Sequence, residues 1–249
     1  MTRKFFCVIL IKKDKGEYVL EKYINKLTKV LLNDCVSEEF YKIYGVDKSF
    51  TSWLDRFIPE IKDCLNQQQN NPWHKYNVLD HILHSCEEMN KMTKGLDKSV
   101  RTRLVYTMFL HDIGKPATHI VRNKDGKLID SFFNHNVESC KVASRVLNEL
   151  GIENKEIDII LKLIYKHDIF MFIRDGDVTN PYHRQLTKDL VKDEIKDLQG
   201  VGDGWELLRE LVMVGRADNL AQNEKMTASS LKLLDKFDDI LDEINLRSK

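Results

Sequence analysis

Apolar residues recur three and four positions apart over most of the chain, which is the spacing of one face of an α-helix. This pattern predicts a helix that ends near residue 110 and further helices at about 75–92, 135–150, 155–168, 204–222 and 228–246, with shorter ones between 20 and 66. Residues 117–132 differ, because two short apolar stretches flank Asp125-Gly126, as is typical of a β-hairpin. We therefore predict an all-α fold with one short β-hairpin at about 117–132.

The polar stretch QQQNNP at 67–72 is the best candidate for a domain boundary. Residues 1–70 are predicted to form an extra, mainly helical N-terminal segment that Pro59 interrupts, and no motif indicates its role. Up to Lys29 this segment carries eight Lys/Arg against three Asp/Glu, which suits either a solvated basic face or a contact with a polyanion. Residues 71–249 are predicted to form the main domain.

The composition is that of an ordinary soluble protein, with 42% hydrophobic residues, 31% charged residues and a formal net charge of zero over 249 residues. The longest apolar run, residues 5–11, is far shorter than the ~20 residues that cross a membrane, and it lacks a signal-peptide cleavage site. The five cysteines, at positions 7, 35, 64, 86 and 140, show no paired spacing. We therefore expect a cytoplasmic protein with reduced thiols, no membrane association and no disulfide-linked partner; its oligomeric state is left open.

The stretch LVYTMFLHDIGKP, residues 104–116, places two ionisable residues toward the buried side of a helix. Asp112 follows Met108 by four residues on the apolar arc, and His111 lies at the edge of that arc. The Gly and Pro that follow are typical of a helix end. A carboxylate buried there costs several kcal/mol unless it is paired, protonated or bound to a metal ion.

Other helices carry ionisable residues in comparable positions. His81, His167 and Asp218 lie on or beside the inward stripes of their helices, and His135 lies in the first turn of another. One histidine on an apolar face is usually a hydrogen-bonded core residue, but six such groups in one chain favour a shared site. The set is His81, His111, Asp112, His135, His167 and Asp218. Imidazole and carboxylate suit Mn, Fe, Co, Ni, Zn or Mg, and the absence of cysteine partners argues against a structural zinc site.

The motifs DHILHS at 80–85, HDIGKP at 111–116 and RADNLAQ at 216–222 resemble those of the HD-domain metal-dependent phosphohydrolases. FFNHNVES at 132–139 and IYKHD at 164–168 look like the extra histidines of the subgroup with a binuclear site. The arrangement is most similar to the HD domain of bacterial CCA-adding enzymes and related stand-alone proteins. Residues 1–70 lack the glycine-rich strand-turn and paired aspartates of a nucleotidyltransferase head, so nucleotide addition is not expected.

The resemblance implies an HD-domain helical bundle that holds one or two divalent metal ions. His81, His111, Asp112 and Asp218 would hold one ion, and Asp112 would bridge to a second ion completed by His135 and His167. It also implies hydrolysis of a phosphate mono- or diester, of a nucleotide or an RNA end, by metal-activated water. Asp112 and Lys115 would be the catalytic residues, with Lys115 contacting the phosphate.

Further phosphate contacts are expected from Arg174, His183, Arg184 and Arg216, and specificity from the polar loop at 174–188 and the hairpin. The remaining histidines in the main domain, His74, His84 and His119, are expected not to be ligands, although His74 suits a hydrogen bond to a residue of the site. Two other functions remain open. One is a di-iron oxygenase, which has a similar ligand order, and the other is a non-catalytic nucleotide-sensing module.

Overall fold

Eleven α-helices form most of residues 15–247, the part of the chain that the computed structural model describes. Their bounds are α1 Lys15–Leu31, α2 Val36–Ile43, α3 Lys48–Phe57, α4 Glu60–Asn66, α5 Val78–Met92, α6 Lys98–Leu110, α7 His135–Glu149, α8 Asn154–Lys166, α9 Lys188–Leu198, α10 Gly204–Leu220 and α11 Glu224–Arg247. The predicted all-α fold is confirmed. The apolar run at 5–11 and the cysteine at position 7 lie outside the described residues, as do all four basic positions before Lys15.

Side-chain caps explain why several helices begin where they do. The carboxylate of Asp47 accepts hydrogen bonds from the backbone of Ser49 and Phe50 at the start of α3, and Asn77 accepts one from Asp80 at the start of α5. Such caps satisfy backbone N–H groups that have no partner within the helix. Pro59 separates α3 from α4, as the sequence predicts.

Helix α9 has no counterpart in the prediction, which assigned no element to residues 189–203. The hydroxyl of Thr187 caps this helix by accepting from the backbone of Leu190. Its apolar face buries Leu190, Val191 and Leu198 in the main core, beside α10. The spacing of these three apolar residues after a threonine is the sequence signal that could have predicted this helix.

The predicted hairpin consists of β1, His119–Lys124, and β2, Lys127–Phe132, paired antiparallel from His119 opposite Phe132 to Lys124 opposite Lys127. Asp125 and Gly126 form its two-residue turn with φ of 53° and 80°. Positive φ at both positions is what a tight turn between twisted strands requires, and aspartate and glycine tolerate it. A shorter parallel pair joins β3 Ile173–Arg174, at the start of the predicted polar loop, to β4 Arg184–Gln185 inside it.

Residues on both sides of the polar 67–72 stretch share one hydrophobic core. Leu27, Phe40 and Leu54 from the first helices belong to the same buried cluster as the apolar faces of α5, α6 and α10. Polar contacts join the two parts as well, since the Tyr41 hydroxyl donates to Asp80 Oδ1 at 2.7 Å. The boundary at 67–72 therefore stays a prediction drawn from composition. Among the described residues, no helix has the length and apolar character needed to cross a membrane.

Candidate metal centre

Five helical elements bring the six predicted ligands together. His81 comes from α5, His111 and Asp112 follow the last turn of α6, His135 begins α7, His167 follows α8, and Asp218 lies on α10. All six residues are buried, and none is more than 9% exposed. Residues that are distant in the sequence thus meet because each occupies the inward end or face of its own helix.

His81, His111, Asp112 and Asp218 form the first group, and their ligand atoms lie within 4.8 Å of one another. His81 Nε2 is 3.1 Å from Asp112 Oδ2 and 2.9 Å from Asp218 Oδ1. His111 Nε2 is 3.3 Å and 3.6 Å from the same two oxygens. Two imidazoles and two carboxylates therefore point at one common volume.

Asp112, His135 and His167 form the second group. Asp112 Oδ1 is 3.0 Å from His135 Nε2 and 3.6 Å from His167 Nε2. Because Asp112 turns Oδ2 to the first group and Oδ1 to the second, its carboxylate lies between the two groups. The two groups would together hold up to two divalent ions, with Asp112 common to both.

Backbone carbonyls orient three of the histidines in the same way. The Nδ1 atoms of His111, His135 and His167 each lie 2.7 Å from the carbonyl oxygen three residues earlier, of Met108, Phe132 and Ile164 respectively. Since a carbonyl only accepts, the proton of each neutral ring sits on Nδ1 and the Nε2 lone pair faces the centre. The backbone therefore selects the tautomer that can bind a metal ion.

The donor atoms fit a cation better than they fit one another. His81 Nε2, His111 Nε2 and both Asp112 oxygens are buried without a hydrogen-bond partner among the described residues, although charged neighbours lie close. A buried polar atom left in this way costs about 1–3 kcal/mol. A divalent ion satisfies these atoms, and an all-nitrogen and oxygen donor set suits Mn, Fe, Co, Ni, Zn or Mg.

The electrostatics of the centre keep its carboxylates ionised. Burial alone raises the pKa of the Asp112 carboxyl, but His111 and Lys115 outweigh it and hold that pKa well below the usual range. The pKa of Asp218 is lowered in the same way by His111 and His81. Burial opposes the charged form of His111, yet the two carboxylates raise its pKa to about 10. The negative charge of the centre therefore attracts protons and metal ions alike.

Asp168 is a neighbour of the second group that the sequence analysis did not select. Its Oδ2 is 3.3 Å from His135 Nε2 and its Oδ1 is 3.4 Å from His167 Nε2. Its side chain is 26% exposed, more than those of the six buried residues. The available signal was the adjacent pair His167-Asp168, which repeats the residue order of His111-Asp112.

Lys115 lies against the bridging carboxylate. Its Nζ is 2.6 Å from Asp112 Oδ2, and the whole residue is only 5% exposed. His74, expected to be a non-ligand with a supporting contact, places Nε2 3.2 Å from Lys115 Nζ. Burial and the Lys115 charge lower the pKa of His74 well below its usual range, so its ring is neutral.

The other two histidines expected to be non-ligands have acidic partners of their own. His84 Nδ1 lies 2.9 Å from Glu87 Oε2, and His119 Nε2 lies 2.8 Å from Asp130 Oδ1. Neither belongs to the two groups that can hold an ion.

The weaker phosphate-contact residues have contacts outside the centre. Arg174 Nη2 lies 3.0 Å from His183 Nε2 on the exposed loop, and Arg184 pairs with Glu194. Arg216 pairs with two aspartates of α11, Asp235 and Asp238. The role of these four residues in phosphate binding stays a prediction.

Gly114, inside the HDIGKP stretch, allows α7 to approach the centre. A Cβ at this position would lie 2.4 Å from Ser139 N and 2.7 Å from the His135 carbonyl oxygen. The Gly114 N–H also donates to Ser139 Oγ at 2.9 Å. Only glycine permits this close approach, which places His135 beside the His111-Asp112 pair.

The fold and the site together define a helical protein with a buried histidine and aspartate centre that can hold divalent metal ions. The HD domain family matches residues 74–223, more than half of the chain. The chain therefore belongs to the HD-domain family, which is part of the metal-dependent phosphohydrolase superfamily.

Similar curated proteins include the bifunctional uridylyltransferase/uridylyl-removing enzymes of two strains of Caulobacter vibrioides. Each is 26% identical over 188 residues, an alignment that covers 64% of this chain and 18% of the relative. The chain thus spans less than a fifth of the length of these relatives, and the similarity concerns one part of a much longer enzyme.

Proposed function

We propose that this protein is a metal-dependent phosphohydrolase that cleaves a phosphate mono- or diester with a metal-activated water. One observation carries the proposal: six buried ligands converge from five helical elements, with unpaired nitrogen and oxygen atoms directed at a shared volume. A structural core has no need of such atoms, whereas a metal-dependent hydrolase requires them.

The chain's own residues supply the remaining chemistry. A divalent ion held at these positions provides a water whose pKa falls from ~16 toward ~7, so that hydroxide is available at neutral pH. Asp112 contacts His81 through Oδ2 and His135 through Oδ1, so its carboxylate positions ligands of both groups. The Lys115 ammonium, beside Asp112 Oδ2, is placed to stabilise negative charge on a phosphoryl oxygen.

A nucleotide or RNA end is the proposed substrate, supported by two exposed aromatic rings that lie close to His74 and His135 in the sequence. Trp73 is 38% exposed and directly precedes His74, and Phe133 is 58% exposed and lies two residues before His135. Lys124 Nζ lies 5.2 Å from the Trp73 ring and the Arg122 guanidinium 5.3 Å from that of Phe133. Exposed rings combined with cations suit stacked bases and the phosphates that link them.

The similarity to proteins named uridylyl-removing enzymes agrees with a substrate that contains a nucleotide. The closer relationship to the HD domain of CCA-adding enzymes, which suggested an RNA end, stays a prediction. The experiment below distinguishes a phosphate monoester from a diester as the substrate, and it identifies the metal that supports activity.

The test is metal analysis of the purified protein followed by an activity panel with Mn, Fe, Co, Ni, Zn and Mg. The panel contains p-nitrophenyl phosphate, bis-p-nitrophenyl phosphate, nucleotides, and oligonucleotides with 3′-phosphate or 2′,3′-cyclic phosphate ends. We expect metal-dependent release of product that His111→Ala and Asp112→Ala abolish. If these variants bind metal and hydrolyse as the parent does, the proposed site is wrong.

The shared position of Asp112 between two ligand groups also suits a di-iron oxygenase. Oxygen consumption by iron-loaded protein without phosphate release would favour that function. Nucleotide binding without turnover in every metal would instead favour the sensing module.

A further inference from the structure

Lys115 is held by two acceptors that come from the polar stretch and the turn after it. Its Nζ donates to Gln69 Oε1 at 3.0 Å and to His74 Nε2 at 3.2 Å. The approach of the ammonium to Asp112 Oδ2, at 2.6 Å, is an ion pair that lacks hydrogen-bond geometry. An ammonium has three N–H groups, so two of them are committed to Gln69 and His74.

Both acceptors are themselves oriented. The amide nitrogen of Gln69 donates to the Tyr76 carbonyl oxygen at 3.2 Å, which turns its Oε1 toward Lys115. His74 Nδ1 lies 2.8 Å from Asn71 Oδ1, an oxygen that also accepts from the Trp73 backbone. The Nδ1 atom therefore carries the proton, and the Nε2 lone pair of His74 faces the lysine.

The segment that carries these acceptors is anchored on two sides. Asn70 donates its backbone N–H to Asp130 Oδ2 at 2.7 Å and accepts from the Asp130 backbone at 3.1 Å, which ties the segment to β2. Asn223, just before α11, donates its backbone N–H to the Trp73 carbonyl oxygen at 2.8 Å. Its side-chain amide nitrogen donates to the Pro72 carbonyl oxygen at 3.0 Å. Gln69 is only 5% exposed, which is unusual for a glutamine in a polar linker.

We propose that Gln69 and His74 are positioning residues that hold the Lys115 ammonium so that its third N–H is presented to a phosphoryl oxygen beside Asp112. The inference rests on the proposed hydrolytic function. A lysine side chain is long and flexible, so without the two acceptors its ammonium samples other positions. The stretch that looks like a linker in the sequence is thus part of the phosphate-binding machinery.

The test compares Gln69→Leu and His74→Phe with the parent. We expect kcat to fall about ten- to hundredfold in each, with unchanged metal content and a smaller change in KM. His74→Gln keeps a side-chain acceptor and is expected to recover most of the activity. Gln68→Leu is the matched control, because Gln68 is the exposed neighbour, and it is expected to behave as the parent does.

Two further measurements separate positioning from simple loss of stability. In a Lys115→Ala background, Gln69→Leu is expected to reduce kcat by less than about twofold, since its effect acts through the lysine. Additive losses, or parental activity in the single variants, would overturn the proposal.

The second measurement does not need turnover. In ¹⁵N-labelled protein, we expect the Lys115 ammonium signal to be protected from exchange in the parent and lost in Gln69→Leu and His74→Phe. An equally protected signal in these variants contradicts the inference, whatever the substrate. A protected signal in a parent that hydrolyses nothing contradicts only the proposed function.

Discussion

His135 and His167 face each other through their Nε2 atoms at 3.1 Å, while both Nδ1 protons are committed to backbone carbonyls. With the protons on Nδ1, the two facing nitrogens present only lone pairs, and lone pairs repel unless a proton or a metal ion lies between them. The contact therefore requires a proton or a metal ion between the two rings, and together with Asp112 Oδ1 the pair forms a group that could hold a metal ion.

The first expectation follows from that pair. His167→Ala removes one of three ligands of the second group and leaves the first group intact, so we expect the bound metal to fall from two ions to one per chain. Elemental analysis of dialysed protein measures the ratio. His84→Ala is the control, since His84 pairs with Glu87 away from both groups. Two ions retained in His167→Ala would show that this group holds none.

Metal affinity is expected to increase with pH. The pKa of His111 is raised from 6.5 to about 10, so at any pH below about 10 a metal ion must displace a proton from this ring. Binding should then strengthen by up to about tenfold per pH unit over this range and level off above it. Titration with Mn²⁺ followed by electron paramagnetic resonance at several pH values gives the slope. An affinity that does not change with pH would argue against His111 as a ligand.

Gly114→Ala is expected to destabilise the protein and displace α7. The added Cβ would overlap the Ser139 backbone nitrogen at 2.4 Å, and backbone cannot move aside as a flexible side chain does. Overpacking of this kind costs about 1–3 kcal/mol. Urea unfolding measures the free energy of unfolding. Gly200→Ala is the matched control, because its Cβ would have its nearest contact at 3.6 Å, and we expect no loss of stability there.

Trp73→Ala and Phe133→Ala are expected to discriminate between substrates. If the two rings stack on bases, each variant should raise KM for an oligonucleotide about tenfold and leave KM for p-nitrophenyl phosphate unchanged. Steady-state kinetics on both substrates provide the comparison. Leu128→Ala is the control, because Leu128 is 72% exposed near the hairpin turn and has no aromatic ring. Equal effects on both substrates would assign the rings a structural role instead.

Much of the fold could be predicted from the sequence, because the spacing of apolar residues within a helix shows which of its faces is buried. Each of α5, α7, α8, α10 and α11 lies within a few residues of its predicted limits. A prediction fails where the local signal is weak: α9 has only three strongly buried apolar residues among many charges, and it was missed.

The sequence by itself indicated which residues come together in the candidate centre. His81, Asp112 and Asp218 each lie on or beside an apolar stripe, and a stripe depends only on the spacing of residues within one helix. The resemblance already implied that Asp112 is shared between two groups, but only the tertiary structure decided which atoms meet: that Asp112 Oδ2 faces the first group and Oδ1 the second, that Asp168 lies beside the second, and that Gln69 reaches Lys115. These contacts join residues far apart in the chain, and their geometry depends on how whole helices pack, which no local spacing encodes.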